Sequence, residues 1–139
     1  MFCTKGRQPY LRDLALREEL FAYLVGTCHG NGCSSLRTGG WEDHVHVLCR
    51  LGRTVSVAEL IKILKTSSST WIKDKATQLH DFHWQAGYGA FSVSPAHVDA
   101  LVDYIRNQEQ HHHTETFQDE FRRICAKYGL EIDERYVWD

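Results

Sequence analysis

The sequence predicts one domain of the α/β (α+β) class, and three observations carry that prediction. The stretch "DLALREELFAYL", residues 13–24, sets Leu14, Leu16, Leu20, Phe21 and Leu24 close to a 3.6-residue period, as on the apolar face of a helix. The run "HVHVLCRL", residues 44–51, alternates with period two, as a strand does. The stretch "SVAELIKILKTSSSTWIKD", residues 56–74, returns to helical spacing. At 139 residues the chain is long enough for a single substantial core and no more.

In chain order, "MFCT" leaves room for only a short strand before Tyr10. The helix over 13–24 is expected to end at the glycines 26, 30 and 32. A short strand over Cys33–Arg37 should follow, and "TGGWED" reads as a turn with Gly39-Gly40 at its tight point. Residues 44–51 are then the second arm of a hairpin. Ser56 and Glu59 have capping-box spacing, and Val57, Leu60, Ile61, Leu64 and Trp71 face inward from the second helix. "GYGAFSVS", residues 87–94, is a further strand candidate. Ser94-Pro95 supplies an N-cap and a first-turn proline for a third helix, "AHVDALVDYIRNQEQHH". Phe117 to Asp139 should add a helix and a tail.

Composition narrows the function classes. A chain 42% hydrophobic and 24% charged is ordinary for a soluble globular protein. No apolar run reaches the ~20 residues of a membrane span, and "MFCTKGRQPY" lacks the apolar core of a secretory signal, so a cytoplasmic protein without a membrane partner is expected. The five cysteines (3, 28, 33, 49 and 125) lack zinc-site spacing and read as reduced thiols. A net charge of −2 excludes the global basic field of a protein that coats nucleic acid indiscriminately. Any nucleic-acid contact must be local, and the cationic clusters are Lys5 to Arg12, Arg50 with Arg53, Lys62 to Lys75, and Arg122 to Lys127.

Strand periodicity places His44, His46, Leu48 and Arg50 on one face of the second hairpin arm, and Val45, Val47, Cys49 and Leu51 on the other. The apolar face can pack on helices while both imidazoles are displayed together, within reach of one metal ion. On the third helix Val98, Leu101, Val102 and Ile105 form the core stripe. Tyr104 and Gln108, four residues apart, lie side by side at its border, with His97 and His111 seven residues either side of Tyr104. The "HHH" run at 111–113 reads as a solvated helix end, where cationic imidazole suits the macrodipole.

Taken in this order, "DHVHVL" at 43–48 resembles the HUH motif, and "YIRNQ" at 104–108 resembles the tyrosine-helix signature of the single-tyrosine HUH transposases of small bacterial insertion sequences, a group that includes the tyrosine transposases associated with repetitive extragenic palindromes. "TKGRQPYL" at 4–11, "SSSTWIK" at 67–73 and "WQAGYGAFSVS" at 84–94 extend the resemblance up to about His113. It implies a ferredoxin-like sandwich whose antiparallel sheet carries the HUH strand centrally, with helices on one face. Residues 1–113 would be the HUH domain and 114–139 a C-terminal helical extension of the same domain. The family's first strand usually begins several residues upstream of "FCTKGRQPYL", so this chain looks shorter there.

By the same resemblance His44 and His46 would be metal ligands, Gln108 a third ligand or helper, and Tyr104 the nucleophile. Two neutral imidazoles and a carbonyl oxygen suit Mg²⁺ or Mn²⁺, which would withdraw charge from a phosphodiester while tyrosine attacks phosphorus to leave a 5′-phosphotyrosine. His97 and His111 are the candidates for accepting the phenolic proton. The implied partners are single-stranded DNA with a hairpin and a second copy of the chain, with no nucleotide cofactor. Lys5, Arg7, Tyr10, Arg50, Arg53, Lys62, Lys65 and Lys73 are the candidate DNA contacts, basic groups with an aromatic for stacking. A domesticated nickase of chromosomal repeats and a non-catalytic hairpin-binding remnant are the alternatives. The first would lack transposon end hairpins around its gene, and the second would bind hairpins without metal and never cut them.

Overall fold

The computed structural model describes residues 1–138. Three strands, β1 (Phe2–Cys3), β2 (Ser34–Gly40) and β3 (His44–Arg50), form an antiparallel sheet in the order β1-β3-β2. The strand "HVHVLCR" is therefore central, as expected, and both of its faces are covered. Val45 is fully buried and joins Leu20 and Leu24 of α1 (Leu14–Gly30) and Leu60, Leu64 and Ile72 of α2 (Val57–Lys75) in the main core. Burying each such aliphatic side chain stabilises the fold by roughly 1.5–3 kcal/mol. The opposite face, which carries His44 and His46, is covered by α3 (Val98–Arg106), α4 (Gln108–His111) and α5 (Phe117–Lys127). Helices thus lie on both sides of the sheet, with the α1/α2 pair on the apolar face.

The capping box expected for α2 is present, and α1 is capped as well. Asp13 accepts from the Leu16 amide at 2.9 Å, and Ser56 with Glu59 forms a reciprocal capping box. Helix α1 nevertheless runs through Gly26, because the buried stripe of Leu20, Leu24 and Cys28 continues past it and outweighs the ~1 kcal/mol that glycine costs in a helix. The chain leaves the helix only after Gly30, with Gly32 in the left-handed region at φ +74°.

Gly39 and Gly40 belong to β2, and the reversal lies at residues 41–43, closed by the Trp41 amide on the His44 carbonyl at 3.0 Å. The two glycines serve close approach. A Cβ on Gly39 would lie 2.7 Å from Ile105 Cγ2, and one on Gly40 would lie 2.2 Å from the His44 carbonyl oxygen. Gly39 pairs with His46 across the sheet, so its bareness lets α3 press against the histidine face.

Residues 87–94 do not form a strand. The chain before and within them runs irregularly along the outer edge of β1, through Gln85 to Cys3 and Gly89 to Met1 backbone bonds of 2.8 Å and an antiparallel bridge between Thr4 and Trp84. Lys65 holds this course by donating to the carbonyls of Gln85, Ala86 and Gly87 at 2.6, 3.1 and 2.8 Å. The expected third helix is interrupted: a single turn at Pro95–His97 leads into α3, and Asn107 separates α3 from α4. The Ser94 side chain makes no cap bond. All five cysteines are free, and among the described residues no helix is long and apolar enough to cross a membrane.

Candidate active site

The histidine face of β3 is closed by one buried carboxylate. Glu120 of α5 is fully buried, with five polar groups around its carboxylate. Its Oε1 faces His46 Nε2 at 3.0 Å and His44 Nε2 at 3.4 Å. Its Oε2 accepts from Gln108 Nε2 at 3.0 Å and from the Tyr104 hydroxyl in a short bond, and lies 3.2 Å from His112 Nε2. A second acceptor, Gln108 Oε1, sits between His44 Nε2 at 2.9 Å and His112 Nε2 at 3.1 Å. The sequence-predicted residues His44, His46, Gln108 and Tyr104 are thereby brought together.

Glu120 and His112 complete this cluster, and neither was among the residues expected there. Glu120 stands three residues after Phe117 and four before Ile124, on the inward stripe of α5, and a carboxylate in an apolar stripe is a readable signal. His112 follows Gln108 by one turn on the same stripe. The "HHH" run is accordingly not a solvated end: the His111 ring tilts against Tyr104 at 4.6 Å, and the His112 ring lies 4.5 Å from His44. His97 is exposed and takes no part. The phenolic oxygen meets Glu120 on its buried side and Arg123 Nη2, at 2.9 Å, on its exposed side.

The electrostatics follow from burial and these contacts. Burial opposes charge on His44, but hydrogen bonds to Asp43 (2.7 Å) and to Glu120 outweigh it and raise its pKa to about 9, with both ring nitrogens facing acceptors as an imidazolium requires. Burial lowers His46 to about 4, so it donates to Glu120 as a neutral ring. Burial alone would raise Glu120, yet the bonds from His112, His44 and His46 hold it well below the usual carboxylate range. Burial, reinforced by Glu120, raises the Tyr104 phenol to about 12, with Arg123 pulling the other way.

The donor set fits a divalent cation. Ligand atoms of His44, His112 and Glu120 lie within 4.8 Å of one another, and Gln108 Oε1 lies among them. Neutral imidazole with carboxylate and carbonyl oxygen is a mixed set for Mg²⁺, Mn²⁺ or a related cation. His46 reaches the set through Glu120 Oε1.

The candidate DNA contacts are not gathered into one patch. Lys5, Arg50, Arg53 and Lys62 are exposed, but Arg50 lies six residues along β3 from the end that pairs with β1, roughly 20 Å from the Lys5 end. Arg7 donates to the Trp138 carbonyl at 3.2 Å, the Tyr10 hydroxyl reaches Asp81, and Lys65 is engaged on carbonyls. Lys73 is half-buried on α2.

Residues 1–108 match the family described as "Transposase IS200 like". A crystal structure described as that of a candidate transposase from Deinococcus radiodurans R1 superimposes with a TM-score of 0.62 at 23% identity, covering 77% of this chain and 85% of the other. That likeness is one of fold. No curated protein matches the chain.

Proposed function

Because the chain belongs to the IS200-like transposase family, we propose that it is a DNA transposase that nicks and rejoins single-stranded DNA at hairpin-flanked sites through a 5′-phosphotyrosine on Tyr104. The observation that supports this reading is that the Tyr104 hydroxyl and both histidines of the HUH strand gather on the same buried carboxylate, Tyr104 and His46 by hydrogen bonds and His44 at 3.4 Å.

In the reaction Tyr104 Oη bonds to phosphorus while the bond from phosphorus to the 3′ oxygen breaks. Glu120 Oε2 orients the hydroxyl by accepting its hydrogen bond, the phenolic proton leaves to solvent water as the bond forms, and the departing 3′ oxygen takes a proton from water. The products are a tyrosine-linked 5′ end and a free 3′ hydroxyl. Attack by a different 3′ hydroxyl reverses the step and completes strand transfer without ATP. His44, His112 and Glu120 would hold a divalent ion such as Mg²⁺ or Mn²⁺, with Gln108 Oε1 beside them and His46 supporting Glu120. A cation there supplies charge withdrawal from the non-bridging oxygens of the scissile phosphate.

Work on cytoplasmic DNA by a pair of chains belongs to the same reading. Residues 1–113 are its catalytic domain, with 114–139 an extension that delivers Glu120. The test is incubation of the purified chain with a labelled single-stranded hairpin from the flanks of its gene, with and without Mn²⁺, beside Tyr104→Phe. A metal-dependent covalent band that disappears in the variant is expected. A hairpin that binds and yields no adduct would refute the reading and favour a DNA-binding remnant.

A further inference from the structure

Arg123 stands at the exposed side of the candidate nucleophile. Its Nη2 donates to Tyr104 Oη at 2.9 Å, and its guanidinium lies over the phenol ring at 5.7 Å. Glu115 holds the same group from behind through a two-point contact, Nε to Oε1 at 3.0 Å and Nη2 to Oε2 at 2.9 Å. The remaining nitrogen, Nη1, has no partner among the described residues, and the side chain is half exposed. Arg123 is one turn beyond Glu120 on α5, so a single helix brackets the hydroxyl with a buried carboxylate and a solvent-facing guanidinium.

This placement bears on where a DNA phosphate must arrive. The histidines and Glu120 are almost completely enclosed, so a strand approaching Tyr104 Oη comes from the side that Arg123 occupies. A phosphorus bonded to Oη carries its non-bridging oxygens one bond further out, within reach of an N–H that already touches Oη. Nε and both hydrogens of Nη2 are held by Glu115 and Tyr104, which leaves Nη1 to donate a charge-assisted hydrogen bond to a phosphate oxygen. A merely structural Arg123 would serve only its ion pair with Glu115. That role leaves unexplained why the guanidinium is shared with the phenolic oxygen and keeps one edge open.

Resting on the reading of Tyr104 as nucleophile, we propose that Arg123 is a further catalytic residue, a phosphate clamp that binds the scissile phosphodiester and then the tyrosine-linked phosphate. The guanidinium neutralises charge that builds on the non-bridging oxygens as Oη attacks, and it holds the 5′-phosphotyrosine until a 3′ hydroxyl arrives. Glu115 positions it.

The test uses the full chain with the flanking-DNA hairpin and Mn²⁺, measuring hairpin affinity and single-turnover adduct formation for Arg123→Ala, Arg123→Lys and Glu115→Gln. Loss of one preorganised charge-stabilising donor predicts that Arg123→Ala slows adduct formation by about 100-fold. Its hairpin affinity should stay within about threefold, since one phosphate contact among many is lost. Arg123→Lys should recover about tenfold of that loss, because a point charge replaces part of the fork. Glu115→Gln, which keeps the guanidinium but weakens the contact that positions it, should slow adduct formation by only about tenfold. An adduct rate for Arg123→Ala within threefold of normal would overturn the clamp alone. Equal losses in Arg123→Ala and Glu115→Gln would also overturn it, by assigning the residue to the ion pair. No adduct from the unaltered chain, or an undiminished one from Tyr104→Phe, would remove the nucleophile and the clamp together. Circular dichroism separates a misfolded Arg123→Ala from a slow one, and the lysine variant then decides.

Discussion

Glu120 and His46 meet at 3.0 Å inside the protein although 74 residues separate them along the chain. The carboxylate sits on α5 and the imidazole on β3, so this contact ties the last helix to the middle of the sheet. Removing one partner from a buried, charge-assisted set leaves several donors without an acceptor. Glu120→Ala should therefore destabilise the chain by about 3 kcal/mol, measured as a shift of the urea midpoint. Glu120→Gln should also destabilise, because an amide turns donor hydrogens toward donors. A loss below about 1 kcal/mol in the alanine variant would show that the cluster is held together without its carboxylate.

The same cluster gives stability a peaked dependence on pH. His44 is raised from 6.5 to about 9, so its contribution is complete below 6.5 and is lost as pH climbs toward 9. His46 is lowered from 6.5 to about 4. The unfolded chain then binds the proton first, and stability falls as pH drops from 6.5 toward 4. Glu120, depressed below 4.5, adds a further loss on the acid side. Denaturation midpoints between pH 4 and 10, taken without divalent metal, should pass through a maximum near 6.5. A midpoint that rises steadily from pH 6.5 to 9 would contradict the charged His44.

Metal binding must displace the proton from His44 Nε2, since the ligand form of imidazole is neutral. Titration calorimetry of the chain with Mn²⁺ at pH 7.5, in buffers of different ionisation enthalpy, should report release of about one proton per ion. Binding should also raise the thermal midpoint in proportion to ln(1 + [L]/Kd). Both effects should vanish in His44→Ala, and binding without proton release would place the ion elsewhere.

Gly39→Ala tests the contact between β2 and α3. The new methyl would enter within 2.7 Å of Ile105 Cγ2 and 2.9 Å of the Ile105 carbonyl, and backbone cannot yield as a flexible side-chain end does. The variant should lose about 1–3 kcal/mol of stability. Because Tyr104 is the neighbour of Ile105, adduct formation should fall further than the stability loss explains. Normal activity in a destabilised Gly39→Ala would separate the helix contact from the placement of the tyrosine.

Lys65, a candidate DNA contact, also has a structural role. It was expected to contact DNA, yet its ammonium is spent on three carbonyls of the segment beside β1. Lys65→Ala should cost stability and leave the salt dependence of hairpin affinity unchanged, whereas loss of a phosphate contact would reduce that slope by about one. A reduced slope at unaltered stability would return Lys65 to the DNA surface.

What was legible in the chain was what repeats or caps locally. The alternation around Val45 and Val47 announced a two-faced strand, and Ser56 with Glu59 announced the start of α2, because each signal is complete within a few residues. Gly39 and Gly40 were misread as a turn because glycine marks both turns and close approaches, and Ile105, the reason for the second at Gly39, lies far along the chain. The "GYGAFSVS" segment has strand composition but runs irregularly along β1, anchored by Lys65. Glu120 and His112 were missed as site residues because their meaning depends on β3, and no periodicity within α5 or the "HHH" run reveals what they face.

The position of Glu120 also sets an order in time. Ribosomal synthesis delivers β1, α1, β2, β3 and α2 first, and these contain the main core, so the scaffold can form before the tyrosine helix is made. The carboxylate that gathers the histidines and the phenol arrives only with α5. A nascent chain, or one cut short before Phe117, carries both imidazoles and the tyrosine but has no shared acceptor to align them. On the proposed reading, strand breakage at Tyr104 thus requires a polypeptide extended at least through α5.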